Sequence, residues 1–157
     1  MVAILFQRNN RWHVPFVVRQ AGLSSHPGQV GLPGGGLQPG ETAWLAAARE
    51  SEEEIGVSAA ALLPLGAAPP VYAAVSNNSV VAFIAWLPES DPVFRPDERE
   101  VAHVLEVPLE VLVDEAAWLD SPEPWPGRHL PVVDTVIWGL TARMLGELLP
   151  AIAAALD

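Results

Sequence analysis

Three glutamates, Glu50, Glu53 and Glu54, have a spacing that could bring their carboxylates to a single chemical site. On a helix that advances about 100° per residue, positions i, i+3 and i+4 share one face, so we expect the three carboxylates to lie within reach of one ion. Glu52 points to nearly the opposite side of the same helix and is excluded from the site. The spacing therefore predicts one carboxylate cluster.

The position of this cluster favours cation binding over the alternative, a solvated helical face. The glutamates occupy the last turns of the predicted helix, where the macrodipole disfavours each anion by roughly 0.3–1 kcal/mol and like charges repel. Carboxylate oxygens, in a chain without cysteine or a histidine pair, favour Mg2+ or Mn2+. Arg49 precedes Glu53 by four residues and can orient that carboxylate, although the pair is also typical of an ordinary surface ion pair.

The helix that must position these acids has clear boundaries in the sequence. Thr42 is a favourable N-cap, residues 43–54 continue the helix, and Gly56 is placed to end it. The preceding glycine- and proline-rich residues, 28–40, predict a loop.

The rest of the chain is predicted to contain strands and two further helices. Apolar runs predict strands at residues 2–6, 14–19, 80–87 and 100–107, and a strand followed by an irregular crossover at residues 61–75. We expect a short helix at residues 109–118, a proline-rich loop at residues 121–131 and a final helix that begins near Asp134 or Thr135. This order predicts an α/β fold, an α/β/α sandwich with a mixed central sheet, as a single domain over residues 1–157.

Composition restricts the partners. The formal net charge of −11 and the lack of lysine argue against nucleic acid, whose binding needs clustered positive charge. An acidic protein can still bind an anionic small molecule where a few arginines and a divalent cation neutralise it locally. No apolar run is long enough to span a membrane, and the first apolar stretch is too short for a secretory signal. We therefore expect no membrane partner and a cytoplasmic location, and a homodimer stays open.

One segment of the chain resembles a known family motif. Gly35, Glu41 and the run Arg49-Glu50-Ser51-Glu52-Glu53-Glu54-Ile55-Gly56-Val57 resemble the Nudix box of the Nudix hydrolases, with a departure at Ser51, where the family usually has an aliphatic residue. The resemblance implies a Nudix-type α/β/α fold and a loop-helix-loop in which Glu50, Glu53 and Glu54 hold divalent cations, with Glu54 usually central. It also implies a ligand from the backbone carbonyl of Gly34 or Gly35, and supporting roles for Arg49 and Glu41.

Further segments resemble the coenzyme A pyrophosphatases, a branch of the same superfamily. Residues 19–35, Arg-Gln-Ala-Gly-Leu-Ser-Ser-His-Pro-Gly-Gln-Val-Gly-Leu-Pro-Gly-Gly, resemble its extra motif, with a departure at Ser24, where a second arginine is common. Residues 137–142, Ile-Trp-Gly-Leu-Thr-Ala, resemble part of its final helix, and residues 100–102 with 107–109 add a third match. The resemblance implies hydrolysis of coenzyme A to 3′,5′-ADP and 4′-phosphopantetheine.

Roles within the site follow from this resemblance. Arg19 is the best candidate for binding substrate phosphate, because a guanidinium presents a planar fork of donors; the alternative is an exposed arginine at a strand end. Water is expected to attack a phosphorus of the diphosphate with a divalent cation on the phosphate oxygens. The catalytic set comprises Arg49 and the candidate general bases Glu50, Glu53 and Glu100, among which the sequence does not decide. Three nearby residues stay without a role: His26, Tyr72 and Asn78.

Two alternatives to coenzyme A hydrolysis stay open. The first keeps the chemistry and changes the substrate to ADP-ribose, a dinucleotide or a nucleoside triphosphate. The second is a non-catalytic Nudix-like domain that senses a nucleotide, and the complete set of Arg49, Glu50, Glu53 and Glu54 argues against it.

Overall fold

A turn with two asparagines starts the central sheet. Asn9 and Asn10 both have left-handed backbone angles, with φ of 50° and 60°, which asparagine tolerates better than most residues. The turn joins two antiparallel strands in which Arg8 lies opposite Arg11. The sequence therefore fixes the first hairpin locally.

The computed structural model describes residues 1–73, 77–121 and 127–156. Its strands are β1 (Val2–Arg8), β2 (Arg11–Arg19), β3 (Val30–Gly31), β4 (Leu63–Ala67), β5 (Val71–Ala73), β6 (Asn78–Val80), β7 (Phe83–Ser90), β8 (Val101–Pro108), β9 (Leu119–Ser121), β10 (Gly127–Val132) and β11 (Thr135–Ile137). Its helices are α1 (Ala43–Ile55), α2 (Leu109–Val113) and α3 (Gly139–Leu156), with short 3-10 turns at Ala59–Ala61 and Glu115–Ala117.

The central sheet is mixed, as the sequence predicts. Its strand order is β3-β2-β1-β7-β4, and β8 also pairs with β2. Strands β1 and β7 run parallel, whereas the other pairings of this sheet are antiparallel. Strand β2 therefore has β3 along one edge and β8 along the other.

Alternating side chains of the sheet bury an apolar layer on each face. Val2 and Ile4 belong to the cluster that includes Ala47 of α1, whereas Ala3, between them, belongs to the cluster that includes Leu145 of α3. Alternation is expected because successive side chains of a strand point to opposite faces. The predicted α/β/α sandwich is confirmed.

The final helix begins at Gly139 rather than near Asp134 or Thr135, so that prediction is wrong. Residues Thr135–Ile137 form β11 instead, antiparallel to β10, with Thr135 opposite Val132. A short apolar run fits a strand as well as a helix end, and pairing with β10 decides between them here.

The predicted loop at residues 121–131 is wrong in its last part. Gly127–Val132 form β10, which pairs with both β9 and β11 in a three-stranded sheet. Residues 122–126 of that predicted loop lie outside the described residues. Proline-rich composition reports the preference of single residues, whereas this strand forms by pairing with the segments on either side of it, β9 and β11.

Other boundaries differ in smaller ways. The strand predicted at residues 80–87 begins later, at Phe83, because Val80 ends the separate strand β6. The helix predicted at residues 109–118 ends at Val113. Residues 61–75 contain β4 and β5, although 74 and 75 lie outside the described ranges.

Among the helices of the described chain, none is long and apolar enough to cross a membrane.

Candidate active site

Helix α1 has the caps that its sequence predicts. The Thr42 hydroxyl accepts a hydrogen bond from the Leu45 N–H at 3.3 Å, and the Gly56 N–H donates to the Glu52 carbonyl at 3.1 Å. Gly56 has a left-handed φ of 73°, and a Cβ there would lie 3.0 Å from the Arg95 Cβ. The helix therefore ends in close contact with the segment that precedes β8.

Glu54 is the buried acid of the site, with 5% of its surface exposed. Its Oε2 accepts a hydrogen bond from the Gly34 N–H at 2.9 Å. Burial raises the pKa of Glu54 from its ordinary 4.5 to about 7; the Gly34 hydrogen bond opposes the rise, the charges of Glu50 and Glu100 add to it, and Arg19 opposes it. The carboxylate thus lies among charged groups from three segments of the chain, α1, the end of β2 and the turn before β8.

Glu50 lies against the backbone of the preceding loop. A Cβ at Gly35 would lie 2.4 Å from the Glu50 Cδ, far inside van der Waals contact. Glycine is therefore required at position 35 if the Glu50 side chain is to keep this position.

Arg49 connects the acids of α1 to the loop before it. Its Nη1 donates to Glu50 Oε1 at 2.8 Å and to Glu53 Oε2 at 3.0 Å. Its Nε and Nη2 donate to the two carboxylate oxygens of Glu41 at 2.9 and 3.1 Å, and Nη2 also donates to the Gly36 carbonyl. These bonds raise the pKa of Arg49 and lower that of Glu41. Arg49 is thus held by the loop and by two acids of its own helix.

An acidic cleft lies beside α1, with a volume of about 190 Å³. Its lining residues are Glu50, Glu53, Glu54, Asp97, Arg99 and Glu100. Two backbone hydrogen bonds hold the segment before β8 against the helix end: the Arg95 N–H donates to the Ile55 carbonyl at 2.8 Å, and the Asp97 N–H donates to the Glu54 carbonyl at 3.0 Å.

The sequence reasoning missed Asp97 and Arg99. The only signal was the charged run of residues 95–100 between two predicted strands, and nothing in its spacing indicated contact with α1. The structure brings it there through the backbone bonds to Glu54 and Ile55. Glu52, which the sequence excluded, is exposed and accepts a hydrogen bond from the Ala59 N–H at 2.8 Å, away from the acidic cleft.

Arg19 and Glu100 meet at the ends of neighbouring strands. Arg19 lies opposite Val101 across β2 and β8, and the Gln20 N–H donates to the Glu100 carbonyl at 2.9 Å. The Arg19 Nε is buried, and no group of the described residues accepts a hydrogen bond from it. Because Arg19 lowers the pKa of Glu54, its positive charge lies near the acidic cleft.

The donor set fits a hard divalent cation in its chemistry. Glu50, Glu53 and Glu54 offer carboxylate oxygens at one cleft. Burial raises the pKa of Glu54, and a bound cation would lower it again. Within the described ranges no three acidic or histidine side chains converge closely enough to form a metal site, and Arg49 forms ion pairs with Glu50 and Glu53. Gly34 contacts Glu54 through its N–H and not through its carbonyl. Cation binding by these residues, and by the carbonyl of Gly34 or Gly35, stays a prediction.

A second cavity of about 460 Å³ lies beside the glycine loop. Gly35, Gly36, His26 and Asn78 help to line it, and the His26 Nδ1 lies 3.0 Å from the Gln29 Oε1. Tyr72 is exposed and donates its hydroxyl proton to Asn77 at 2.7 Å. Two of the three residues without a predicted role thus line this cavity.

Comparisons with known proteins identify the family of this chain. The NUDIX domain family matches residues 1–128. Over 139 residues, covering 83% of this chain and 70% of the relative, the chain is 32% identical to the uncharacterized Nudix hydrolase NudL of Escherichia coli O6:H1 and, equally, to that of Shigella boydii serotype 4. The chain therefore belongs to the Nudix hydrolase family, and its activity class is that of a Nudix pyrophosphohydrolase.

Solved structures support the fold. A Nudix hydrolase from M. smegmatis, RenU, superposes with a TM-score of 0.68 at 18% identity, covering 99% of this chain and 84% of that one. A C. elegans Ap4A hydrolase gives 0.65 at 17% identity over 98% and 95%. The NUDIX domain of Shewanella oneidensis NrtR, complexed with ADP ribose, gives 0.59 at 16% identity over 99% and 86%.

Proposed function

We propose that this enzyme is a divalent-cation-dependent pyrophosphatase that hydrolyses a nucleoside-diphosphate-linked substrate, with coenzyme A or its derivatives as the first candidate. The observation that carries the proposal is the convergence of three segments that resemble coenzyme A pyrophosphatases: residues 19–35, residues 100–102 and residues 137–142.

Contacts between these segments support the proposal. The Thr141 hydroxyl donates to the Val30 carbonyl at 3.0 Å in a buried position, which connects the third segment to the first. The Gln20 N–H donates to the Glu100 carbonyl at 2.9 Å, which connects the first to the second. Segments separated in sequence are thus in contact with one another, and Glu100 of the second segment lines the cleft that holds Glu54.

The chain's own groups suit such a reaction. Glu50, Glu53 and Glu54 would hold Mg2+ or Mn2+, which supplies neutralisation of phosphate charge and activation of water when bound. Arg19 would bind a phosphate oxygen of the substrate. Glu50, Glu53 and Glu100 all line the acidic cleft, which supports them as candidates to accept a proton from the attacking water.

ADP-ribose, dinucleotides and nucleoside triphosphates are the alternative substrates. Two proteins of the same fold are associated with such molecules, the C. elegans Ap4A hydrolase and the NrtR domain in complex with ADP ribose. Ser24 also stands where the coenzyme A branch commonly has arginine, which removes one cation for an additional phosphate. The complete glutamate set of α1 argues against a domain that only senses a nucleotide.

Incubation with coenzyme A, ADP-ribose and a nucleotide panel plus Mg2+, with products separated by mass, tests the proposal. We expect 3′,5′-ADP and 4′-phosphopantetheine from coenzyme A, formed faster than any product of ADP-ribose. Efficient hydrolysis of ADP-ribose or a triphosphate with coenzyme A untouched would contradict the substrate and keep the chemistry. No product from any member of the panel would favour the sensing domain.

A further inference from the structure

The turn before β8 holds Arg99 at the acidic cleft. The Asp97 carbonyl accepts hydrogen bonds from the N–H groups of Glu100 and Val101, at 2.9 and 2.8 Å, which closes the turn. The Asp97 N–H donates to the Glu54 carbonyl at 3.0 Å, which fastens the turn to α1. Arg99 therefore lies on a segment that is tied to the helix of the predicted cation ligands.

The guanidinium of Arg99 is oriented from one side only. Its Nε donates to Asp97 Oδ1 at 2.9 Å and its Nη2 donates to Asp97 Oδ2 at 2.5 Å, and this pairing lowers the pKa of Asp97 to about 2. No acceptor for Nη1 occurs among the described residues, and 87% of the side chain is exposed. Asp97 thus fixes one edge of the fork and leaves the other edge for a ligand.

The charge of the cleft makes the free edge of Arg99 suitable for binding an anion. Arg99 is the one cationic side chain among the described residues that line the acidic cleft, beside five carboxylates. Arg49 already donates to Glu41, Glu50 and Glu53, so its donors are engaged. A diphosphate entering this cleft meets strong negative charge, and a guanidinium with free donors is the side chain that best offsets it.

We propose that Arg99 is a substrate-binding residue whose free edge binds a phosphate oxygen of the incoming diphosphate, and that Asp97 is its positioning residue. The inference rests on the proposed function, because it assumes that a diphosphate enters the acidic cleft. Arg99 would supply a cation from the turn before β8. In this chain Ser24 stands within residues 19–35 at a position where a second arginine is common.

Calorimetric binding of methylenebisphosphonate, an analogue of diphosphate whose carbon bridge cannot be hydrolysed, tests the inference in excess Mg2+. We expect Arg99→Gln to weaken binding about 10- to 100-fold, the scale of a lost charged hydrogen bond. Arg95→Gln is the matched control: it removes the same charge from an exposed residue four positions earlier that does not line the cleft. We expect its dissociation constant to stay within about twofold of the wild-type value.

Two results would overturn the role of Arg99. Unchanged binding by Arg99→Gln would show that the residue forms only a surface ion pair with Asp97, and equal weakening by both variants would show an effect of net charge alone. Thermal unfolding of each variant checks that the fold is kept. Failure of the proposed function has a different signature, since the wild-type enzyme would then release no diphosphate-cleavage product from the substrate panel, whatever the two variants bind.

Discussion

At the scale of single residues, the environment of Glu54 affects both the stability of the protein and its ability to bind a cation. The side chain is buried, accepts a hydrogen bond from Gly34 and lies near the charges of Glu50 and Glu100. Burial of an ionised carboxylate is unfavourable unless other groups compensate its charge. A cation at this position would compensate the charge. Glu54, whose buried charge lowers the stability of the ion-free protein, is therefore suited to bind the ion.

The first prediction concerns the pH dependence of stability without divalent cations. The folded pKa of Glu54 is about 7, above its ordinary 4.5, so over that interval the folded protein holds a proton that the unfolded chain releases. The free energy of unfolding should therefore fall as pH rises from 4.5 to about 7, by at most about 3 kcal/mol relative to Glu54→Gln. Urea unfolding of both proteins in chelator measures this difference. A difference that stays constant with pH would contradict the raised pKa.

The second prediction concerns Arg19. If Arg19 binds a phosphate of coenzyme A, Arg19→Ala should reduce kcat/KM for coenzyme A about 10- to 100-fold, equivalent to roughly 1.5–3 kcal/mol. Dephospho-coenzyme A locates the contact, because the substitution should matter much less for this analogue if Arg19 binds the 3′-phosphate. Equal kcat/KM of variant and wild type for coenzyme A would leave Arg19 as a strand-end arginine.

Spacing predicted which acids of α1 share a face, but it could not predict the partners that come from elsewhere. Periodicity placed Glu50, Glu53 and Glu54 together and Glu52 apart, because the helix itself sets those directions. Asp97 and Arg99 reach the cleft only through backbone bonds between a loop and the end of α1. Such bonds between distant segments leave no local pattern in the sequence.

At the scale of elements, capping signals were more informative than apolar periodicity. Thr42 and Gly56 marked both ends of α1, and the structure has the expected hydrogen bonds at both. The start of α3 was predicted too early, because Thr135–Ile137 pair with β10. Caps act within one turn of a helix. Strand pairing depends on a second segment of the chain, as β11 depends on β10.

The third prediction concerns the contact between α3 and β3. Thr141→Val keeps the shape of the side chain and removes the hydroxyl that donates to the Val30 carbonyl, leaving a buried acceptor without this donor. The free energy of unfolding should fall by about 1–3 kcal/mol. Thr141→Ser keeps the donor and should lose less. Equal stability of Thr141→Val and wild type, by urea unfolding, would show that this hydrogen bond does not stabilise the contact.

At the scale of the whole molecule, apolar packing covers both faces of the sheet. One cluster packs under α1 and the other under α2 and α3, and both contain fully buried phenylalanine, Phe6 and Phe16 respectively. Neither cluster includes the acids of the cleft. Folding is therefore expected not to depend on a bound ion.

The fourth prediction follows from this separation of core and cleft. A chelator should stop hydrolysis, and added Mg2+ or Mn2+ should restore it, while circular dichroism and the urea midpoint indicate a folded protein throughout. Cooperative unfolding on addition of the chelator would mean that the ion is structural, which would contradict a catalytic role.

Diphosphate cleavage in the acidic cleft is tested most directly by the turnover of Glu54→Gln against Glu52→Gln, with the best substrate of the panel and saturating Mg2+. Both substitutions remove one negative charge from α1 and keep side-chain size, but only Glu54 lines the cleft, whereas Glu52 bonds to Ala59. We expect Glu54→Gln to abolish measurable hydrolysis and Glu52→Gln to keep kcat/KM within about twofold of wild type. Comparable loss in both variants, or full activity in Glu54→Gln, would contradict the assignment of catalysis to this face of the helix.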